Sequence, residues 1–385
     1  QLRLERYDAW PSRFESGGGV SYPRGENLDP STRSLLFGPP MATFEQLLAI
    51  ARNTFFESIR QPVLLVVLVV CTILVVLSNP FSAYTLTDDN KMFVDIGLST
   101  IFIGGAILSA FIASNVITRE IENRTVLTVV SKPVARPVFV FGKYLGVAAA
   151  QVLAMLFLSL VFMLVDIHGV QQTVTTPYHM PVIILGFGSL FIGVSIGIWC
   201  NFFYCWVFSS TFIVCTMPLL LIAYVLSLLF NFEFVAQSPA LTFDGNLWLA
   251  VFAVILAELV LSAIAVALST RFSQLVTLLA TVGFFLLGLL SDWLFARRIG
   301  ALSDTFESLG QTTTAPLDGL HMQYWFFKAM HSIVPNFQVF WLADAITQEA
   351  AIPADYLAWT LPYGALMIII ALAIAVILFQ RREVG

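Results

Sequence analysis

Charge is scarce in this chain. Only 11% of its 385 residues are Asp, Glu, Lys or Arg. A soluble domain needs a charged surface, and so little charge argues against one. Phosphate-cradling and hydrolytic signatures are missing too. There is no GxxxxGK[ST] loop, no HExxH and no GxSxG, which excludes the usual nucleotide grip, zinc-protease pair and nucleophile elbow. The closest string, Gly186–Ser189 (GFGS), lies inside an apolar run and reads as close helix packing. Cysteine is limited to Cys71, Cys200, Cys205 and Cys215. None forms a CxxC, and all lie in or beside apolar segments, as buried small residues do. The histidines His168, His179, His321 and His331 show no ligand spacing and read as ordinary loop residues. No basic patch suits nucleic acid, and no metal or catalytic constellation is present.

Apolar sequence is abundant instead. The chain is 58% hydrophobic, with a mean hydropathy of +0.86. A bilayer-spanning helix takes about 20 mostly apolar residues. Eight windows qualify: Pro62–Ser78, Phe93–Asn115, Val138–Val165, Pro181–Cys200, Trp206–Phe230, Leu247–Leu268, Gln274–Phe295 and Ala358–Gln380. The fourth and fifth are separated only by the uncharged Asn201–Cys205, so they form a tight hairpin or a re-entrant element. The expected fold is an all-α polytopic membrane protein of about eight transmembrane helices.

Residues 1–40 differ from the rest. They carry five basic and five acidic residues among Pro, Gly and Ser, without periodicity. This composition predicts disorder. Met41 opens a segment that reads like a natural start, so residues 1–40 are expected to be an extension or a start-site artefact. Residues 42–61 read as an amphipathic helix along a membrane surface. Phe44, Leu47, Leu48, Ala51, Phe55 and Ile59 form its apolar face, and Glu45, Arg52, Glu57 and Arg60 face away.

Basic residues set the orientation. Arg52, Arg60, Arg119, Arg124, Lys132, Arg136, Lys143, Arg271, Arg381 and Arg382 fall on one side. Lys91, Arg297, Arg298 and Lys328 fall on the other. The positive-inside rule then places both termini in the cytoplasm. The long external segment 296–357 holds Tyr324, Trp325, Phe326, Phe327, Phe337, Phe340 and Trp341. Aromatics at that density predict an interfacial belt on one or two short helices divided at Pro335.

Two features stand out against this background. Glu258 lies near the centre of an apolar span, where a carboxylate costs several kcal/mol unless protonated, paired or wetted. It reads as a polar spot on a translocation path or a helix–helix latch, or else as a protonated carboxyl hydrogen-bonded to a neighbouring helix through Ser or Thr. Asp95, Asp166 and Asp292 lie nearer span ends and read as interfacial. The second feature is the charged island TREIENRTVLTVVSKPVARPVFVFGK, residues 118–143. Apolar segments of membrane length flank it, so its charges must lie at a membrane face. Its apolar run, stopped at Pro133, suits a short helix along that face.

The island resembles the cytoplasmic segment between the second and third spans of ABC-2 type transporter permeases. The matching positions are Glu120, Glu122, Arg124, Thr125, Ser131, Lys132, Pro133, Arg136, Gly142 and Lys143. MATFEQLLAIARNTFFESIRQPV resembles that family's elbow helix. LSTRFSQLVTLLATVGFFLLG, IVPNFQVFWLADAI and ILFQRREV resemble its later segments in order. The extra apolar pair over 181–230 departs from its six-span pattern. The resemblance implies a permease domain over 41–385, with a cytoplasmic coupling helix over 118–137. It implies that a separate ABC ATPase subunit docks on Arg119, Glu120, Glu122, Arg124, Thr125, Ser131, Lys132, Pro133 and Arg136. ATP and Mg would be bound by that partner, so this chain would bind no cofactor and catalyse nothing. A second permease copy or relative, surrounding lipid and a bacterial inner-membrane location are further expectations. Two other classes stay open from sequence: a proton-coupled secondary transporter using Glu258, and a membrane scaffold using the island as a protein-binding loop.

Overall fold

The computed structural model describes residues 43–85, 89–122, 135–170, 177–309, 319–348, 350 and 352–380, with the backbone alone described for 116–122 and 354. Residues 1–42 and the island residues 123–134 lie outside this set. Among the described residues the fold is helical, apart from one isolated bridge between Phe230 and Ala236.

Twelve α-helices follow in order. They are α1 (Thr43–Ile59), α2 (Pro62–Ser82), α3 (Asp89–Glu122), α4 (Arg136–His168), α5 (Met180–Tyr204), α6 (Phe208–Leu229), α7 (Gly245–Ser269), α8 (Gln274–Leu289), α9 (Arg297–Ser308), α10 (Gly319–Ile333), α11 (Ala343–Thr347) and α12 (Ala354–Gln380). Seven helices are long and apolar enough to cross a membrane, or eight if the bent pair at α8 counts as one span. That is the architecture of a polytopic membrane protein. Its polarity agrees: small and polar side chains such as Ser109, Gln151, Ser159 and Ser262 are buried. Phe187, Phe191, Ile198, Ile369 and Ile377 face outward, as lipid contact allows.

Local sequence explains most boundaries. Pro at the first helical turn opens α2, α4 and α5, where its missing N–H costs nothing. Asp244 caps α7 by accepting from the backbone N–H groups of Asn246 (2.9 Å) and Leu247 (3.0 Å). The α5–α6 pair is a hairpin of two continuous helices, turned at Cys205, whose φ of 54° is left-handed. The pair packs on α4 at the edge of the bundle.

α3, α4 and α7 form the centre. Of the apolar windows, 67%, 72% and 78% respectively are buried, against 22% for α5 and α12. The centre therefore holds the two helices that flank the charged island.

One expected span is broken. Residues 274–295 do not form a single helix. α8 stops at Leu289, a π turn follows over Asp292–Ala296, and α9 leaves at 54°. Tertiary partners hold this break. Gln338 Nε2 donates to the Leu289 carbonyl at 2.9 Å. Asp292 Oδ1 meets His331 Nε2 at 3.1 Å and accepts from Asn336 Nδ2 at 2.8 Å. The Asn336 backbone N–H donates to the Tyr363 hydroxyl at 2.8 Å. The aromatic belt also needs correction. Trp325 and Phe326 are exposed, but Phe337 and Phe340 are fully buried. Phe337 packs with Phe102 and Phe285, so it belongs to the core.

Candidate functional site

Most of the expected docking residues lie outside the described part of the chain. Arg124, Thr125, Ser131, Lys132 and Pro133 are not described, and Arg119, Glu120 and Glu122 are described only as backbone at the end of α3. The framework around them is clear. α3 has 34 residues and α4 has 33. At 1.5 Å per residue each is about 50 Å long, against a hydrocarbon core of about 30 Å. The apolar run of α3 gives way at Thr118–Glu122 to Arg119, Glu120 and Glu122, so its last turn carries the first charges of the island. Arg136, at the start of α4, donates from a guanidinium nitrogen to the Gln380 carbonyl at 2.7 Å. That contact ties the island's exit to the end of α12.

α1 joins the same end of the bundle through α4. The GKYLG string places Gly142 and Gly146 one turn apart on one face of α4. A Cβ on Gly142 would fall 2.9 Å from Ile50, and one on Gly146 would fall 2.5 Å from the Ala51 carbonyl oxygen and from Thr54 Cβ. No side chain fits there, so the two backbones touch. The apolar-face expectation for α1 is corrected accordingly. Thr54 and Ser58 are buried, while Phe44 and Leu48 are exposed. Small residues and Ile59 face protein, and Phe44, Leu48 and Phe56 face outward. Glu57 does not face away: its carboxylate lies 4.0 Å from Nζ of Lys143, which is 2% exposed. Sequence reasoning missed this seam, although its GxxxG spacing was visible.

Glu258 is fully buried where α7 crosses α3 and α4. Its Oε2 accepts from Ser109 Oγ at 3.1 Å, and its Oε1 has no hydrogen-bond partner. A Cβ on Gly105 would fall 2.8 Å from Glu258 Cδ and 2.8 Å from Met155 Sδ. Gln151 Nε2 of α4 donates to the Gly105 carbonyl at 2.9 Å, and its Oε1 is also unpartnered. Three helices thus meet at one small polar node. No described cation forms an ion pair with Glu258. The contact seen is a side chain of α7 hydrogen-bonded to a Ser of the neighbouring α3.

His168, His321 and His331 lie in helices rather than loops. His321 lies in α10, is 1% exposed, and stacks on Phe306 at 4.4 Å. His179 precedes α5, is buried, and leaves Nδ1 without a partner. Burial pushes its pKa below 6.5, and the nearby His168 adds to this, against a backbone hydrogen bond. A depressed folded-state pKa means that the unfolded chain binds the proton more readily. Stability is therefore full above the ordinary histidine range and falls as pH drops through 6.5. Thermal unfolding followed between about pH 5 and 8 should show this loss, and His179→Gln should flatten it. An unchanged slope in the variant would assign the loss to other groups.

Among the described residues, no group of three His, Cys, Asp or Glu side chains could hold a metal ion. All four cysteines are free. No protein-family model matches the chain, and no curated protein matches it.

Proposed function

We propose that this chain is the membrane subunit of an ATP-binding cassette transporter of the ABC-2 type. A separate ATPase docks on the island 118–136, and ATP hydrolysis by that partner moves a substrate across the membrane. α1 serves as the elbow helix, and the island carries the coupling helix. Both termini lie in the cytoplasm of a bacterial inner membrane, and two permeases act together.

One observation supports this reading above the others. The charged segment joins α3 and α4, two helices of about 50 Å that form, with α7, the enclosed centre of the bundle. A force on the island acts on the two helices that flank it. The α1–α4 seam and the Arg136–Gln380 contact brace the same end. Charge at a membrane face that served only as an anchor would need no such placement.

The test is co-purification from native membranes in mild detergent. An ATPase subunit should be recovered with the natural sequence and lost with Glu120→Lys combined with Glu122→Lys. Failure to recover any ATPase with the natural sequence would sink the proposal.

A further inference from the structure

Two cavities of about 500 and 520 Å³ open side by side on α3. They share Ser99 and Ile103. The first is a slot between α2 and α3, walled by Val66, Val70, Leu74 and Ile107, with Asp95 at the end nearer the start of α3. The second has an aromatic wall of Phe102, Phe285 and Trp341, with Gln338 and Asp344 beside it. Phe102 lies face to face with Trp341 at 6.0 Å and edge-on to Phe285 at 5.0 Å.

The polar groups are one-sided. Asp344 lies close enough to Asp95 to act on its charge. No Lys, Arg or His lines either cavity. Lys91, one turn before Asp95 on α3, is exposed and outside both cavities. Two carboxylates beside aromatic faces attract a positive charge on an apolar body, since ring faces carry negative potential. A slot of this size takes the rest of a drug-sized molecule.

We propose that the two cavities form one binding site for an amphipathic organic cation. The positive centre lies between Asp95 and Asp344 against Trp341, and the apolar body enters the α2–α3 slot. Binding stands on the cavities alone. That the cation is cargo rests on the transporter reading above.

Tetraphenylphosphonium and tetraphenylborate share a shape and differ in sign, so they separate charge recognition from apolar partitioning. Equilibrium binding of each should be measured on the full chain in phosphatidylcholine nanodiscs, corrected for empty discs. The phosphonium should bind, and Asp95→Asn and Asp344→Asn should each weaken it about tenfold while leaving the borate unaffected. The variants should melt with the natural protein. Equal weakening of both probes, equal binding of both, or no phosphonium binding would overturn the site and leave the slot a lipid-filled groove. Phosphonium binding without a recoverable ATPase would keep the site and remove the cargo role. The reverse result would keep the transporter reading and remove the site.

Discussion

Gly146→Leu is expected to detach α1 from the bundle. The new side chain would meet the Ala51 carbonyl oxygen and Thr54 at 2.5 Å. One of those atoms is backbone, so no rotamer change relieves the clash. Overpacking commonly costs about 1–3 kcal/mol, and a clash with fixed backbone belongs at the upper end. The buried Lys143 would also lose Glu57. Thermal unfolding in detergent should drop by several degrees, and a cysteine at Thr54, buried in the natural chain, should become reactive to a thiol reagent. Gly188→Leu is the control, since nothing lies within 4 Å of that position. Equal losses from both variants would show that the seam has no special role.

The second large effect concerns Glu258. Truncation to Ala should cost roughly 3 kcal/mol, because it opens a void at a three-helix crossing and leaves Ser109 only the longer bond to the residue-258 carbonyl at 3.4 Å. Glu258→Gln keeps the shape and an acceptor for Ser109. It should fall within about 1 kcal/mol of the natural protein. The pair of unfolding measurements separates a latch from a charge-dependent role. Transport abolished in a stably folded Glu258→Gln protein would instead favour the carboxylate as a proton carrier, and with it a secondary transporter.

Much of the helical layout was legible in the sequence, because long apolar runs can satisfy their backbone in lipid only as helices. The boundaries at Pro62, Arg136–Pro137 and Pro181 followed from proline chemistry. The break after Leu289 was not legible. Gly288 stands beside the break, but a lone glycine inside an apolar run does not by itself predict a bend. The helix stops where distant groups, Gln338 on a carbonyl and His331 with Asn336 on Asp292, hold the chain in a turn. The burial of Phe337 follows from the same contacts, since composition cannot tell an interfacial ring from a core ring.

The site divides in the same way. The island announced itself by charge alone, since charge between membrane-length apolar runs can lie only at a face. The expense of Glu258 was equally plain, but its partner was not, because Ser109 lies 149 residues away in sequence. Sequence by itself thus determined the polytopic helical membrane architecture and the rough position of seven long apolar helices. The tertiary structure decided which helices are central, that α1 faces α4 with small residues, where α8 bends, and which carboxylates line neighbouring cavities. Those outcomes depend on contacts between segments far apart in the chain, and local composition and periodicity do not encode which distant segments meet.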